Sequence, residues 1–140
     1  RGPVRRADGP SPMIVDSSAL LAVVQGEPKA AECIDRLLAE ECRISAANWV
    51  EAGIVVDNRS IVTQREFDEL MSLAEISVAP VTADQARIAR DAYRRYGRGS
   101  GHPARLNYGD CFAYALAVSS GESLLFVGDD FSETDVRPAL

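Results

Sequence analysis

The sequence has few of the residues that build thiolate metal sites, disulfide scaffolds or membrane spans. Its three cysteines are odd in number and none forms a C-x-x-C pair, which argues against a zinc site or a disulfide framework. The one histidine, His102, lies in a glycine-rich stretch and is expected to be an exposed turn residue. No apolar run approaches the roughly 18 residues that a membrane-spanning helix needs. A secretory segment is also missing, so the sequence predicts a reduced, cytoplasmic protein.

Positive charge is also scarce. The chain has 15 basic and 21 acidic residues, for a net charge of -6. Three of the basic residues and one acidic residue lie within the first twelve positions, which leaves 12 basic and 20 acidic residues, or -8, in the remainder. General nucleic-acid binders show the opposite balance, because clustered positive charge supplies most of their affinity for phosphate. Any contact with nucleic acid is therefore expected to be local or metal-assisted.

Residues 1–12 differ in composition from the rest of the chain. They contain three prolines and two glycines and no periodic apolar pattern, so they are interpreted as a disordered leader or a remnant of cloning. Residues 13–140 are enough for one domain with a substantial core, and 46% of the chain is apolar. The sequence therefore predicts a single folded domain beginning at Met13.

The domain alternates between strand and helix patterns. Strands are predicted at 13–16, 43–45, 76–81 and 123–127, and helices at 18–24, 28–41, 47–59, 63–73, 82–96 and 110–119. Thr63 with Glu66 and Thr82 with Gln85 have the capping-box spacing that opens a helix. Strands separated by helices need crossover connections, so the predicted fold is α/β, with a central, mainly parallel sheet of four or five strands flanked by helices.

Acidic residues recur where these elements would deliver them to one edge of that sheet. They are Asp16 after Met-Ile-Val, Glu51 in Asn-Trp-Val-Glu, Asp110 in Asn-Tyr-Gly-Asp-Cys, and the pair Asp129 and Asp130 after Leu-Leu-Phe-Val-Gly. In open parallel sheets, ligands bind beyond the carboxyl ends of the strands. Taken singly, each acid is as well explained as a helix cap or an exposed surface residue.

Taken together, the acids predict a metal site. Carboxylates brought close together raise each other's pKa, so such a cluster usually surrounds a hard divalent cation. Oxygen ligands suit Mg²⁺ or Mn²⁺, which activate water and bind phosphate oxygens. The residues alone therefore favour a metal-dependent phosphoryl-transfer enzyme.

The order and local sequence of these acids resemble the PIN-domain ribonucleases, and more narrowly the VapC-type toxins of type II toxin–antitoxin systems. The resemblance extends from Met13 to the C-terminus and is strongest at Asp110 and at the Asp129–Asp130 pair. It implies that Asp16, Glu51 and Asp110 bind metal and that Ser18 is the small hydroxyl residue that follows the first acid. The fourth acid is Asp130 or Asp129, with Asp130 favoured by its position beside Phe131, and Asp135 is a further acid of this region.

The resemblance also implies an activity and partners. The activity is that of a Mg²⁺- or Mn²⁺-dependent endoribonuclease toxin that cleaves RNA phosphodiester bonds with metal-activated water. Asp110 or Asp130 would accept the proton from that water. A VapB-type antitoxin would block the acidic pocket, and a homodimer is expected, with helix faces within 33–38 and 54–73 as candidate contacts.

The RNA contacts are predicted from the residues themselves. Arg87, Arg90 and Arg94 follow helical spacing and form the concentrated positive patch of the domain, although a solvated helix face is the alternative interpretation. Trp49, next to Glu51, is expected to pack against the sheet, with stacking on a nucleobase as the alternative.

Other functions fit less well. A receiver domain needs a lysine near its acids, and the one lysine, Lys29, lies in the predicted helix 28–41. A haloacid-dehalogenase-like phosphatase needs a second Asp at the position of Ser18, and a G-x-x-x-x-G-K-[ST] loop is absent. The alternative from a different class is a catalytically silent PIN-like module that binds a partner protein. Stabilisation by Mg²⁺ or Mn²⁺ would distinguish an active site from such a module.

Overall fold

The structure, a computed structural model, describes residues 10–140. Four strands and six helices are assigned in this part of the chain. The strands are β1 (Pro12–Val15), β2 (Glu41–Ser45), β3 (Ser77–Ala79) and β4 (Ser123–Leu125). The helices are α1 (Ser17–Val24), α2 (Ala30–Ala39), α3 (Ala46–Asp57), α4 (Ile61–Leu73), α5 (Ala83–Tyr96) and α6 (Tyr108–Ser120).

The strands form one parallel sheet in the order β3-β2-β1-β4, which confirms the predicted sheet. Ile14 pairs with Arg43 of β2 on one side and with Leu124 of β4 on the other. β2 and β3 are added to the sheet on one side of β1, whereas β4 lies on the other side of β1. The carboxyl ends of β1 and β4 therefore lie side by side, where parallel sheets place their ligands.

Helices cover both faces of the sheet, and the strand residues alternate between two apolar cores. Ile14 and Leu124 pack with α5 and α6 on one face, whereas Met13, Val15 and Leu125 pack with α1 to α4 on the other. Successive side chains of a strand point to opposite faces, so a short, wholly apolar strand supplies both cores. This explains why β1 has no polar residue between Met13 and Val15.

The predicted starts of the fourth and sixth helices were each wrong by two residues. α4 begins at Ile61 because the side chain of Ser60, not Thr63, is the N-cap; the Ser60 side chain accepts a hydrogen bond from the Thr63 backbone N–H. α6 begins at Tyr108, with Asn107 as the N-cap and Asp110 as its capping-box partner. The cap predicted at Thr82 is confirmed, since its hydroxyl accepts from the Gln85 backbone N–H.

Other differences from the predicted structure concern single side chains and the start of the fold. Trp49 is 41% exposed, so its predicted packing against the sheet was wrong. His102 is half-buried rather than exposed; its Nδ1 accepts a hydrogen bond from the Ala104 backbone N–H. Pro12, assigned to the leader, is the first residue of β1, and residues 1–9 of that leader lie outside the described residues. No helix within residues 10–140 is long and apolar enough to cross a bilayer.

Candidate active site

Asp16 is a buried carboxylate at the junction of β1 and α1. It directly follows β1, and its backbone N–H donates to the Leu125 carbonyl oxygen at 2.9 Å, which ties it to the end of β4. It is the N-cap of α1, where its Oδ2 accepts from the Ser18 backbone N–H at 3.0 Å. Its Oδ1 is buried and has no hydrogen-bond partner within the described part of the chain, residues 10–140. One oxygen of Asp16 is therefore fixed by the fold, while the other is available to a ligand.

Glu51 lies on α3, and its carboxylate is held by residues from two helices. Its Oε1 accepts hydrogen bonds from the Ser17 hydroxyl at 2.7 Å and from Asn48 Nδ2 at 3.3 Å. The same amide of Asn48 also donates to the Gly109 carbonyl oxygen at 2.9 Å, and Asn48 is fully buried. These bonds fix Glu51 between the residue that follows Asp16 and the residue that precedes Asp110.

Gly109 allows the Glu51 carboxylate to lie close to the first turn of α6. A Cβ atom on this residue would lie 2.7 Å from Cδ and 2.9 Å from Oε1 of Glu51. Contacts below 3.0 Å force one of the two groups to move. Because α6 carries no side chain here, the carboxylate of Glu51 packs directly against the first turn of that helix.

Asp110 is the third buried acid of the site. Its Oδ2 accepts a hydrogen bond from the Asn107 backbone N–H at 2.9 Å, so the carboxylate turns back toward the start of α6. It is 7% exposed. Acids are tolerated at this position because the unpaired backbone N–H groups of a helix N-terminus favour negative charge.

The two acids after β4 differ in their relation to these carboxylates. Asp129 and Asp130 are both exposed, and the charge of Asp130 is among the causes that raise the pKa of Asp16 and of Asp110. Asp135 lies elsewhere: its Oδ1 accepts from the Tyr114 hydroxyl at 2.7 Å and its Oδ2 lies 3.8 Å from Arg95. The structure therefore groups Asp130 with Asp16, Glu51 and Asp110, and places Asp135 in a contact between α5, α6 and the C-terminal segment.

Burial raises the pKa of both buried aspartates, and the neighbouring acids add to this effect. Burial raises the pKa of Asp16 from 3.8 to about 6; the charges of Glu51 and Asp130 add to this, and hydrogen bonds from Ser18 oppose it. Burial likewise raises the pKa of Asp110 from 3.8 to about 7, opposed by the Asn107 backbone N–H and assisted by the charges of Asp16, Asp130 and Glu51. Each acid is thus costly to ionise until a positive charge joins the cluster.

These residues fit a small divalent cation. The donors are all carboxylate oxygens, and Asp16 Oδ1 is a buried acceptor without a partner. Among residues 10–140, no group of three or more Asp, Glu, His or Cys side chains lies close enough together to hold a metal ion. Mg²⁺ does not need such a group, since it usually retains several waters and binds through one or two carboxylates.

The predicted substrate-binding residues occupy different surroundings. Ser18 is tied into the fold, because its hydroxyl accepts a hydrogen bond from the Val127 backbone N–H at 3.0 Å. Arg87 and Arg94 form exposed ion pairs with Asp84 and Asp91 on the same helix. Arg90 has no ion pair within residues 10–140 and lies at a pocket between α5 and α6.

Three residues that shape the site are missing from the sequence-based prediction. Ser17, Asn48 and Gly109 position Glu51, yet none is acidic. The spacing of Asn48 and Glu51, three residues apart on a helix, is a detectable signal that they are neighbours. The role of Gly109 depends on the packing of α3 against α6, for which the sequence has no local signal.

Comparison with known proteins identifies a family model and relatives that match most of this chain. A family model described as the PIN domain matches residues 13–137. The curated relative Ribonuclease VapC28 from Mycobacterium tuberculosis is 52% identical over 130 residues, which cover 91% of this chain and 98% of the relative.

Two solved structures have similar folds at low sequence identity. VapC20 from Mycobacterium tuberculosis, described as a sarcin-ricin loop cleaving toxin, aligns with a TM-score of 0.66 at 20% identity and covers 90% of this chain and 99% of its own. VapBC-5 from the same organism, a member of the VapBC family of toxin–antitoxin systems, aligns with a TM-score of 0.63 at 21% identity, covering 90% of this chain and 92% of its own.

Proposed function

Because this chain belongs to the PIN-domain family, and within it to the VapC ribonucleases, we propose that it is a toxin that cleaves RNA phosphodiester bonds with the help of a divalent metal ion. Mg²⁺ or Mn²⁺ is the metal that its carboxylate donors favour. The observation that carries the proposal is the buried Oδ1 of Asp16, which has no hydrogen-bond partner among residues 10–140 and belongs to a carboxylate affected by the charges of Glu51 and Asp130.

Asp16, Glu51, Asp110 and Asp130 would hold the ion, and Asp129 is the weaker candidate. A bound divalent ion would supply an activated water and neutralise negative charge on the phosphate. The chain's own part is to fix these carboxylates before the substrate arrives. Ser17 and Asn48 hold Glu51, and the α1 cap holds Asp16, so little reorganisation is needed on binding.

One acid of the cluster also accepts the proton of the attacking water. Asp110 or Asp130 fills this role, as the sequence predicts. Asp110 keeps one carboxylate oxygen for this role, because the Asn107 backbone N–H binds only its Oδ2.

The experiment is cleavage of total cellular RNA by the purified chain with Mn²⁺, with Mg²⁺ and with EDTA. Wild type should cut RNA only with metal, and Asp16→Asn should be inactive under every condition. Equal cleavage by both proteins would show that the activity is a contaminant. Thermal melts of the same samples give a second readout, because an ion that binds only the folded state raises the melting temperature of wild type.

A VapB-type antitoxin and a homodimer belong to the same proposal. The toxin–antitoxin description of VapBC-5 supports the antitoxin, and an Arg-bearing inhibitor would suit the acidic site. Exposed apolar residues on α3 and α4, including Ile54, Ile61 and Val62, support a protein contact. Within 33–38, Cys33 and Leu37 are buried in the core, whereas the Leu38 side chain is exposed and can take part in a contact.

The mass in solution tests the dimer, and co-expression of this chain with a VapB-type antitoxin tests the antitoxin. Light scattering should give twice the mass of one chain, and a mass of one chain would count against the dimer. A cytoplasmic location is also proposed; it is supported by Cys33, Cys42 and Cys111, which are all unpaired and buried.

A further inference from the structure

A small apolar pocket lies between α5 and α6, next to the acidic site. Its volume is about 280 Å³, and its lining includes Ala89 and Tyr93 of α5 and Tyr108, Cys111 and Phe112 of α6. Tyr108 is 77% exposed and its ring meets Phe112 edge-on, with 4.9 Å between the ring centroids. Ligand pockets for larger molecules start at about 300 Å³, so this one suits a single planar ring system.

We propose that this pocket binds one nucleobase of the RNA strand, close to the phosphate that is cut. The inference rests on the proposed ribonuclease function and adds to it the residues that bind a base of the substrate. Base–aromatic stacking needs an exposed ring beside a path for the backbone, and Tyr108 supplies that ring.

None of the four acids lines the pocket, but Asp110 lies on the same first turn of α6 as Tyr108. Tyr108 is the first residue of the helix and Gly109 contacts Glu51. The Asp110 carboxylate turns back to the Asn107 backbone N–H, so it lies at the same end of α6 as Tyr108. A nucleotide whose phosphate reaches Asp110 therefore has its base or a neighbouring base within reach of the Tyr108 ring.

Charge at the rim also favours a nucleotide. Arg90 lines the pocket and has no ion pair among the described residues, whereas Arg87 and Arg94 are paired with Asp84 and Asp91. An unpaired guanidinium beside aromatic rings suits a phosphate or a stacked base. The folded domain is otherwise acidic, so this is a local contact of the kind that its charge balance requires.

The test compares two oligoribonucleotides of equal length and charge, one with bases and one built of abasic ribose. Both are titrated into the Asp16→Asn protein, which does not cut them, and binding is followed by fluorescence anisotropy. Loss of the stacked bases should weaken binding by roughly ten-fold or more. Tyr108→Ala should remove most of this preference by weakening the base-bearing strand, and Tyr108→Phe should keep it.

The arginines provide a matched pair of variants on one helix. Arg90→Gln should weaken binding of both oligonucleotides equally and reduce the salt dependence by about one phosphate contact, while Arg87→Gln should do neither. Val118→Ala, at the other end of α6, controls for loss of an exposed apolar side chain.

Several results would overturn the inference. An unchanged preference for bases in Tyr108→Ala is one, and equal effects of Arg90→Gln and Arg87→Gln are another. If Tyr108→Ala instead dissociates a dimer or loses the antitoxin while RNA binding is intact, the pocket serves a protein contact. Failure of wild type to cut any RNA with metal would refute the proposed function separately, since the binding measurement does not depend on cleavage.

Discussion

Asp16→Asn is expected to change how the stability of the metal-free protein depends on pH. Asp16 is 3% exposed, and its pKa is raised from 3.8 to about 6 by burial first and by Glu51 and Asp130 second. Because the folded-state pKa lies above the unfolded one, the stabilising contribution of the protonated acid is complete below about pH 4 and is lost as the pH rises through about 6. The carboxylate is therefore a destabilising group at neutral pH unless a cation binds it.

The size of the effect follows from the two pKa values. A rise of about two in pKa corresponds to about 3 kcal/mol of unfolding free energy, of which about half is lost between pH 5 and pH 8. Asn cannot ionise, and it caps a helix about as well as Asp, so the hydrogen bond from the Ser18 backbone N–H is retained. Wild type should therefore lose on the order of 1 kcal/mol more than Asp16→Asn over this range.

Urea unfolding in EDTA at pH 5 and pH 8, followed by circular dichroism, measures this difference. Asp129→Asn is the control, because it removes an exposed acid after β4 that is not among the named causes of the raised Asp16 pKa. It should show the pH dependence of wild type. The reasoning fails if Asp16→Asn and wild type lose the same free energy between the two pH values. Added Mn²⁺ should raise the stability of wild type more at pH 8 than at pH 5, since protons compete with the ion.

Three further variants test the arrangement of the site. Gly109→Ala should keep or slightly raise stability, since Ala is the better helix former. It should also displace the Glu51 carboxylate and lower RNA cleavage by about 100-fold. Unchanged cleavage would show that the close approach of Glu51 to Gly109 is unimportant. Asp130→Asn should lower cleavage at least about ten-fold and Asp129→Asn should stay close to wild type, so a reversed order would identify Asp129 as the fourth acid. Asn48→Ala should cost about 1–3 kcal/mol in urea unfolding because the Gly109 carbonyl loses its partner, and should also lower cleavage; a stable, active variant would contradict this role.

The parts of the site that sequence could predict are those set by short-range pattern. Asp16 follows a wholly apolar strand, and Asp110 starts a strongly apolar helix, so the fold carries each acid to the edge of the sheet. The alternation of strands and helices similarly predicts the parallel sheet. These features depend on a few neighbouring residues and on general rules of connection.

The parts that sequence could not predict depend on which helices meet. Asn48 and Gly109 acquire their roles only because α3 packs against α6, which brings residues 61 positions apart into hydrogen-bonding distance. The start of α4 was missed for a different reason. Ser60 and Thr63 are both good caps, and the structure uses the earlier one.

The arginine patch was overestimated for a reason that is visible in the sequence. Arg87 and Arg94 each follow an Asp by three residues on the same helix, and these local ion pairs neutralise them. Arg90 has no such partner among residues 10–140. The predicted patch was therefore too large, because it included arginines that pair with an aspartate on the same helix.

The central claim is that acids distant in sequence converge to bind one divalent cation. The most direct measurement is the anomalous scattering of manganese in crystals soaked with Mn²⁺. We predict a peak in contact with Asp16 Oδ1 and shared with Glu51, Asp110 or Asp130, and no such peak in Asp16→Asn. Manganese bound elsewhere, or an empty cluster at saturating Mn²⁺, would contradict the claim.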